Sequence, residues 1–175
     1  MQIMYCHHAM RKKSNNKLTQ QDGLTSLGIK DAKNIAKYLR EISKREKIVA
    51  IHTSQFYRCQ KTAEILNKYI KAPIIIDKGF DEFRSVEGET WTDCQNRIMT
   101  SINNIVKQYN DDEMVICVAS GVNVAGFINY AYNLPASEDI PFLWVGMCSP
   151  IVFNVSKNNK KSSGKDKFTF TGKKQ

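Results

Sequence analysis

Paired cysteines are missing from this chain, and so is any long hydrophobic run. The five cysteines contain no CxxC pair, which predicts reduced thiols in a cytoplasmic protein and argues against a zinc site. No apolar stretch approaches the roughly 20 residues of a membrane span, so we expect no membrane partner. The N-terminus has no basic segment followed by an apolar core, and we therefore expect no secretory signal peptide.

Motifs for nucleotide and serine chemistry are also missing. No P-loop or GxGxxG sequence occurs, and Val118 stands where a nucleophile elbow around Ser120 would need glycine. Histidines are few: His7 and His8 are adjacent, and His52 is the only other one. Because adjacent side chains at a strand end diverge, we expect His7 and His8 to point apart and to hold no metal. No cofactor is predicted.

Positive charge is concentrated near the C-terminal end. The chain carries a net charge of +9, but residues 156–175 hold seven lysines and one aspartate, which leaves only +3 for the other 155 residues. We interpret the lysine-rich stretch at about 156–166 as a solvated loop; an anion- or nucleic-acid-binding arm is the alternative, and it predicts steep salt dependence. Phe168 and Phe170 alternate with threonines, which is typical of a strand rather than a base-stacking platform, so nucleic acid is not the favoured partner.

Hydrophobic periodicity predicts strands that alternate with helices over one domain, residues 1–175. The predicted elements are strands at 2–6, 48–51, 74–76 and 114–118, helices from Thr25 to about Ile42 and at 55–70, 92–109 and 122–133, and a C-terminal hairpin of 151–155 with 167–171. This order indicates a three-layer α/β/α sandwich whose central sheet is mostly parallel, with helices on both faces. Functional groups in such folds lie beyond the carboxyl ends of the strands, which directs attention to loops 7–23, 53–58 and 119–123.

The segment from Cys6 to Arg11 is the most informative part of the chain. It follows the first predicted strand and reads Cys6-His7-His8-Ala9-Met10-Arg11. It therefore places a possible nucleophile, His8, beside a second imidazole and a guanidinium.

Further short motifs lie at predicted strand ends and helix starts. They are Leu24–Gly28 (LTSLG), 53–63 (TSQFYRCQKTA), Phe80–Glu82 (FDE), Gly88–Trp91 (GETW) and Val118–Gly121 (VASG). In this order, with His7-His8-Ala9 in the place of Arg-His-Gly or Arg-His-Ala, they resemble the histidine phosphatase superfamily, also called phosphoglycerate-mutase-like. The resemblance covers about residues 2–155 and the final hairpin, and it implies the fold of that family.

The resemblance also implies roles for individual residues. His8 corresponds to the nucleophile, Arg58 and Arg11 to phosphate-binding arginines, and Glu82 to the proton donor. The match departs from the family pattern at two places: His7 stands where the family has arginine, and Ser120 where it has a second catalytic histidine. Both remain candidate phosphate-binding residues. Aligning His7 as the nucleophile would also lose the arginine and would explain Ala9 less well, so we prefer His8.

These residues are consistent with two different functions. The first is a cofactor-independent phosphomonoester hydrolase that acts through a phosphohistidine at His8, with weak or altered activity because His7 and Ser120 supply less positive charge. The second is an inactive pseudophosphatase that binds a phosphorylated ligand or protein partner. Either reading predicts a phosphorylated small molecule or a phosphoprotein as the ligand. Loops 12–23 and 79–91 would determine which ligand binds, but their polar composition does not identify that ligand.

Overall fold

A mixed sheet organises the computed structural model, which describes residues 1–12, 19–132, 134, 146–157 and 168–172. The described strands are β1 Gln2–His7, β2 Lys47–Thr53, β3 Ile74–Ile76, β4 Glu113–Ala119, β5 Pro150–Lys157 and β6 Phe168–Gly172. The described α-helices are α1 Ser26–Ile42, α2 Tyr57–Leu66, α3 Trp91–Gln108 and α4 Gly121–Ala131. Two short 3-10 turns, Lys78–Phe80 and Ser85–Glu87, lie between β3 and α3.

The strand order β3-β2-β4-β1-β5-β6 confirms a mostly parallel sheet. Strands β3, β2, β4 and β1 are parallel neighbours, whereas β5 runs antiparallel to β1 and β6 antiparallel to β5. In the registers of the central strands, His7 pairs with Ala119 and Thr53 with Val118. The carboxyl ends of β1, β2 and β4 therefore meet at one edge, which brings the three predicted loops together.

Helices cover both faces of the sheet, which confirms the three layers. Met4 and Cys6 of β1 pack with α1 and α2, whereas Ile3 and Tyr5 pack with α3 and α4. The separation follows from the alternation of side chains along a strand. Among the described residues, no helix is long and apolar enough to cross a membrane.

Helix α2 is shorter than the helix predicted at 55–70, and that prediction was wrong at both ends. The helix ends at Leu66 because the Asn67 side chain turns the chain, bonding the backbone N–H and C=O of Ala72 at 2.8 Å each. Lys71 then adopts a positive φ of 58°. Ile70 still packs against the core from this turn, which explains why its spacing looked helical.

The C-terminal hairpin is confirmed by the antiparallel pairing of β5 with β6. Its register joins Lys157 to Phe168 and Phe153 to Gly172. Apart from 156 and 157, the lysine-rich stretch at about 156–166 lies outside the described residues.

Candidate active site

His8 lies directly after β1 and is almost fully buried, with 4% of its surface exposed. Its Nδ1 is 2.8 Å from the Ala9 carbonyl oxygen, so this nitrogen carries the proton and donates it. The lone pair therefore resides on Nε2, which accepts a hydrogen bond from Arg58 Nε at 3.0 Å. Burial, reinforced by neighbouring cationic groups, lowers the pKa of His8 to about 3. A neutral imidazole with its lone pair on Nε2 has the chemistry of a nucleophile.

Arg58 lies in the first turn of α2 and is completely buried. Besides His8, its guanidinium contacts the Thr19 carbonyl oxygen at 3.1 Å through Nη1 and Glu82 Oε2 at 3.2 Å through Nη2. The Glu82 carboxylate compensates the buried charge. Arg58 consequently joins the candidate nucleophile to the candidate proton donor, and an anion at His8 Nε2 would meet the same guanidinium.

Glu82 sits on the loop between β3 and α3, and its side chain is 17% exposed. Two side chains hold that loop: the buried Asn123 Nδ2 donates to the carbonyl oxygens of Gly79 and Asp81, each at 3.2 Å, and Arg97 Nη1 donates to Gly79 O at 2.8 Å. Tyr5 Oη in turn donates to Asn123 Oδ1. The carboxyl group is thus held in place by α3 and α4 while keeping contact with solvent.

Asp81 is a site residue that sequence reasoning missed. This fully buried carboxylate accepts hydrogen bonds from Ser54 Oγ at 2.8 Å, Gln55 N at 3.1 Å and Gln55 Nε2 at 2.6 Å. It also forms an ion pair with Arg84 at 2.7 Å. Asp81 therefore fastens the loop after β2 to the loop that carries Glu82. The one signal in the sequence was its place beside Phe80, an aromatic residue in an otherwise polar loop.

Arg11 does not contact His8 through a hydrogen bond. It forms an ion pair with the buried carboxylate of Asp22 at 2.7 Å. Asp22 also accepts from the Thr19 backbone N–H at 3.2 Å and from Thr19 Oγ1 at 2.6 Å. Because the Thr19 carbonyl accepts from Arg58, Arg11 is linked to the site through Asp22 and Thr19. Direct phosphate binding by Arg11 stays a prediction.

His7 and Ser120 border the same end of α4. The rings of His7 and His8 meet edge to face with centroids 4.6 Å apart. The expected divergence was wrong, because His8 lies beyond the strand, where side chains no longer alternate. Ser120 caps α4 by accepting from Asn123 N at 3.3 Å. A Cβ atom added at Gly121 would lie 2.9 Å from His7 Cε1, so the His7 imidazole fills the space beside the start of this helix.

The backbone around His8 is held by residues of the recognised motifs. The Ala9 N–H donates to Thr62 Oγ1 at 3.0 Å, and the Met10 carbonyl accepts from Thr25 N at 2.9 Å. A Cβ atom at Gly28 would lie only 2.4 Å from Met10 O. The glycine of the LTSLG motif therefore lets α1 approach the nucleophile loop closely.

The described residues contain no group of three or more histidine, cysteine, aspartate or glutamate side chains that could hold a metal ion. The arrangement around His8 instead offers a buried guanidinium and the start of α2, both of which favour an anion.

Comparison with known proteins gives one family-model match. Residues 10–87 match the model of the histidine phosphatase superfamily, branch 1. No curated protein sequence matches the chain significantly.

Solved structures share the fold. Bacillus stearothermophilus YhfR is 21% identical, with a TM-score of 0.74 over 98% of this chain and 94% of that chain. A mycobacterial glucosyl-3-phosphoglycerate phosphatase in complex with VO3 is 14% identical, with a TM-score of 0.77 over 99% and 98%. At such identities the likeness establishes the fold alone. Together with the family-model match over residues 10–87, it makes this chain similar, in fold and in part of its sequence, to the histidine phosphatase superfamily.

Proposed function

We propose that the protein is a phosphomonoester hydrolase that forms a phosphohistidine at His8 Nε2. The observation that carries this proposal is the state of His8: its Nδ1 proton is committed to the Ala9 carbonyl, and its Nε2 faces the guanidinium of Arg58. A neutral imidazole with a pKa of about 3 is ready to attack phosphorus without first losing a proton.

The reaction proceeds in two displacements. His8 Nε2 attacks the phosphorus atom, and the bond to the ester oxygen breaks. Glu82 takes up a proton from solvent when the substrate phosphate replaces it on Arg58, and it gives that proton to the leaving alkoxide. Water then attacks the phosphohistidine, Glu82 accepts a proton from that water, and inorganic phosphate leaves as the N–P bond breaks. Arg58 stabilises the charge on the equatorial oxygens in both steps.

Turnover is weakened by the two departures at the site. His7 cannot reproduce the two parallel hydrogen bonds of an arginine fork, although its imidazole gains charge when protonated. The Ser120 hydroxyl adds no charge and already caps α4. Loss of one such donor typically costs ~10²–10³ in rate, so we expect a slow enzyme rather than a fast one.

The deciding experiment is p-nitrophenyl phosphate hydrolysis from pH 5 to 8, with His8→Ala and Arg58→Ala beside the wild type. We expect turnover to vanish in His8→Ala and to fall at least about 10²-fold in Arg58→Ala. His52→Asn serves as the matched control, since His52 bonds Tyr109 rather than the site. A rate that rises toward low pH is the expected sign of a protonated His7 in the role of the arginine.

An inactive phosphate-binding protein is the second candidate. Two observations favour it: all three nitrogen groups of Arg58 already have partners within the chain, and Ser120 serves as a helix cap. The predicted ligands are a phosphorylated small molecule or a phosphoprotein. Related structures hold VO3 and inorganic phosphate, so orthovanadate is a suitable probe. Equal, negligible rates in wild type and His8→Ala, together with vanadate binding that is lost in Arg58→Ala, would establish this second function.

A further inference from the structure

Cys6 and Cys148 converge on a single backbone atom beside the proposed nucleophile. Cys6 Sγ donates to the His7 carbonyl oxygen at 3.3 Å, and the backbone N–H of Cys148 donates to the same oxygen at 3.0 Å. The pairing of β1 with β5 sets this approach, because Cys6 lies opposite Pro150. Both cysteines are buried, at 1% and 4% exposure, and both are free thiols.

The two thiols also influence each other. Interaction with Cys148 raises the pKa of Cys6, with burial adding to the effect, and interaction with Cys6 lowers the pKa of Cys148 below its ordinary value. Cys148 is therefore the thiol of the pair that loses its proton more readily, which makes it the first to react with an oxidant. Cys148 further adopts a φ of 58°, an unusual conformation for a residue other than glycine.

We propose that Cys6 and Cys148 form an oxidation site at which hydrogen peroxide or a related hydroperoxide converts the two thiols into a disulfide. The Cys148 thiolate attacks a peroxide oxygen, the O–O bond breaks, and a sulfenic acid and one molecule of water result. Cys6 then attacks the Cys148 sulfur, its proton leaves with the hydroxyl group as a second water, and the S–S bond forms. Two thiols lose two electrons, and the peroxide is reduced to two molecules of water.

The location gives this site its significance. Cys6 lies in β1, two residues before His8, and Cys148 lies in the segment before β5. A disulfide between them would link this strand to that segment. Disulfides in a reducing compartment are usually transient and redox-sensing, and this one would form next to the catalytic loop. An effect of the bridge on turnover rests on the proposed function, whereas the bridge itself does not.

A third thiol provides the competing pairing. Cys59 of α2 lies close enough to Cys6 to influence its pKa, but burial raises the pKa of Cys59 itself to about 12. Because the pKa of Cys6 is raised as well, a Cys6–Cys59 pair has no readily ionised thiol to react with the peroxide first, and we expect Cys59 to stay reduced. The Cys6–Cys148 pair could not be seen in the sequence, because its members are 142 positions apart.

The test is non-reducing mass spectrometry of the folded protein after graded hydrogen peroxide and alkylation of the remaining thiols. Digestion with trypsin and Asp-N separates the cysteines: Cys6 falls in peptide 1–11, Cys148 in 139–157, Cys59 in a tripeptide and Cys117 in a different fragment. We expect a loss of two hydrogen atoms per chain, and peptides 1–11 and 139–157 joined until a reductant is added. Cys59→Ser should behave as the wild type, whereas Cys148→Ser should form no bridge to Cys6.

Either of two results would overturn the proposal. One is a bridge from Cys6 to Cys59; the other is full alkylation of Cys6 and Cys148 after peroxide treatment that oxidises other thiols of the chain. Both readings come from the wild-type protein and therefore do not depend on whether a variant folds. A bridge in a protein without phosphatase activity would uphold this inference and reject the proposed function, so the two failures are distinguishable.

Discussion

At the scale of single residues, the site depends on how one buried arginine divides its hydrogen bonds. Arg58 gives Nε to His8, Nη1 to the Thr19 carbonyl and Nη2 to Glu82. These contacts fix the nucleophilic nitrogen and the carboxyl group relative to each other before a ligand arrives. Preorganised donors of this kind supply much of the stabilisation of a phosphoryl-transfer transition state.

The role of Glu82 leads to a prediction that depends on the leaving group. Replacing it by glutamine removes the proposed proton donor, and such a donor typically contributes ~10²–10⁴ in rate. p-Nitrophenolate leaves without much help, whereas an alkoxide needs the proton. We therefore expect Glu82→Gln to slow hydrolysis of an alkyl phosphate far more than that of p-nitrophenyl phosphate, as measured by kcat/KM.

A nearby carboxylate provides the control for this comparison. Glu87 lies on the same loop, and its side chain is 68% exposed. Glu87→Gln should leave both substrates unaffected. An equal loss for the two substrates in Glu82→Gln would contradict proton donation and would leave Glu82 with the task of holding Arg58.

At the scale of elements, the position of the nucleophile loop depends on its contact with α1. The backbone of Met10 cannot retreat from a new methyl group at position 28, because its carbonyl is bonded to Thr25 N at 2.9 Å. Gly28→Ala should therefore destabilise the fold by about 1–3 kcal/mol, despite the better helix propensity of alanine.

Urea unfolding at neutral pH measures that effect, and Gly23→Ala is the matched control. A Cβ atom at Gly23 would meet only Tyr57 Cε1, at 3.7 Å, which is an ordinary contact. A Gly28→Ala protein as stable as the Gly23→Ala protein would show that α1 can move away from the loop.

Asp81, which holds the loop after β2 against the loop that carries Glu82, gives a second prediction at the scale of elements. Asp81→Asn keeps the shape of the side chain but loses the charge that faces Arg84 and turns one acceptor into a donor. We expect a loss of about 2–4 kcal/mol in stability and a lower kcat. Asp93→Asn is the control, because Asp93 caps α3 at an exposed position; equal effects would contradict the joining role.

The predictable part of this molecule is the part decided by local pattern. The strands and the start of α1 followed from periodicity: the helix predicted from Thr25 begins there, and the Thr25 side chain accepts a hydrogen bond from Gly28 N. The rule for strand ends also anticipated that the loops of His8 and Arg58 would meet, whereas Glu82 became a candidate only through the family resemblance. The end of α2 was not predictable, because Ile70 packs against the core from the turn that Asn67 forms with Ala72, and its spacing therefore looks helical.

The residues of the site that the sequence did not predict act through partners that are distant in the chain. Asp81 matters because four donors from separate loops converge on it, and Thr19 contributes through its carbonyl oxygen rather than its side chain. Asn123 acts through the backbone of another loop. No spacing in the sequence records such contacts, since each one requires the folded chain.

At the scale of the whole molecule, the site draws on both helical layers. Arg58 comes from α2 on one face of the sheet, and Asn123 holds the Glu82 loop from α4 on the other. His8 lies between them at the end of a central strand. The imidazole of the nucleophile is consequently buried by the same packing that stabilises the fold, which couples stability to its protonation.

That coupling predicts acid sensitivity of the whole fold. In the unfolded chain His8 takes up a proton near pH 6.5, but in the folded chain burial delays this until about pH 3. Stability is therefore unaffected above pH 7 and falls as the pH drops below 6.5, since the unfolded state binds more protons. We expect His8 to account for a loss of about 2 kcal/mol between pH 6.5 and pH 5.

Urea unfolding at pH 8, 6.5, 5.7 and 5 measures this slope, with His8→Asn beside the wild type. The variant should lose much of the slope. His52, whose pKa burial also lowers, accounts for part of the remaining slope, and His52→Asn identifies that share. Carboxylates with lowered pKa, such as Glu113 paired with Lys47, change the stability mainly at lower pH. Between pH 6.5 and pH 5 the histidines therefore dominate the slope. An unchanged slope in His8→Asn would mean that His8 takes up its proton in the folded protein, which would also remove the basis for a neutral nucleophile.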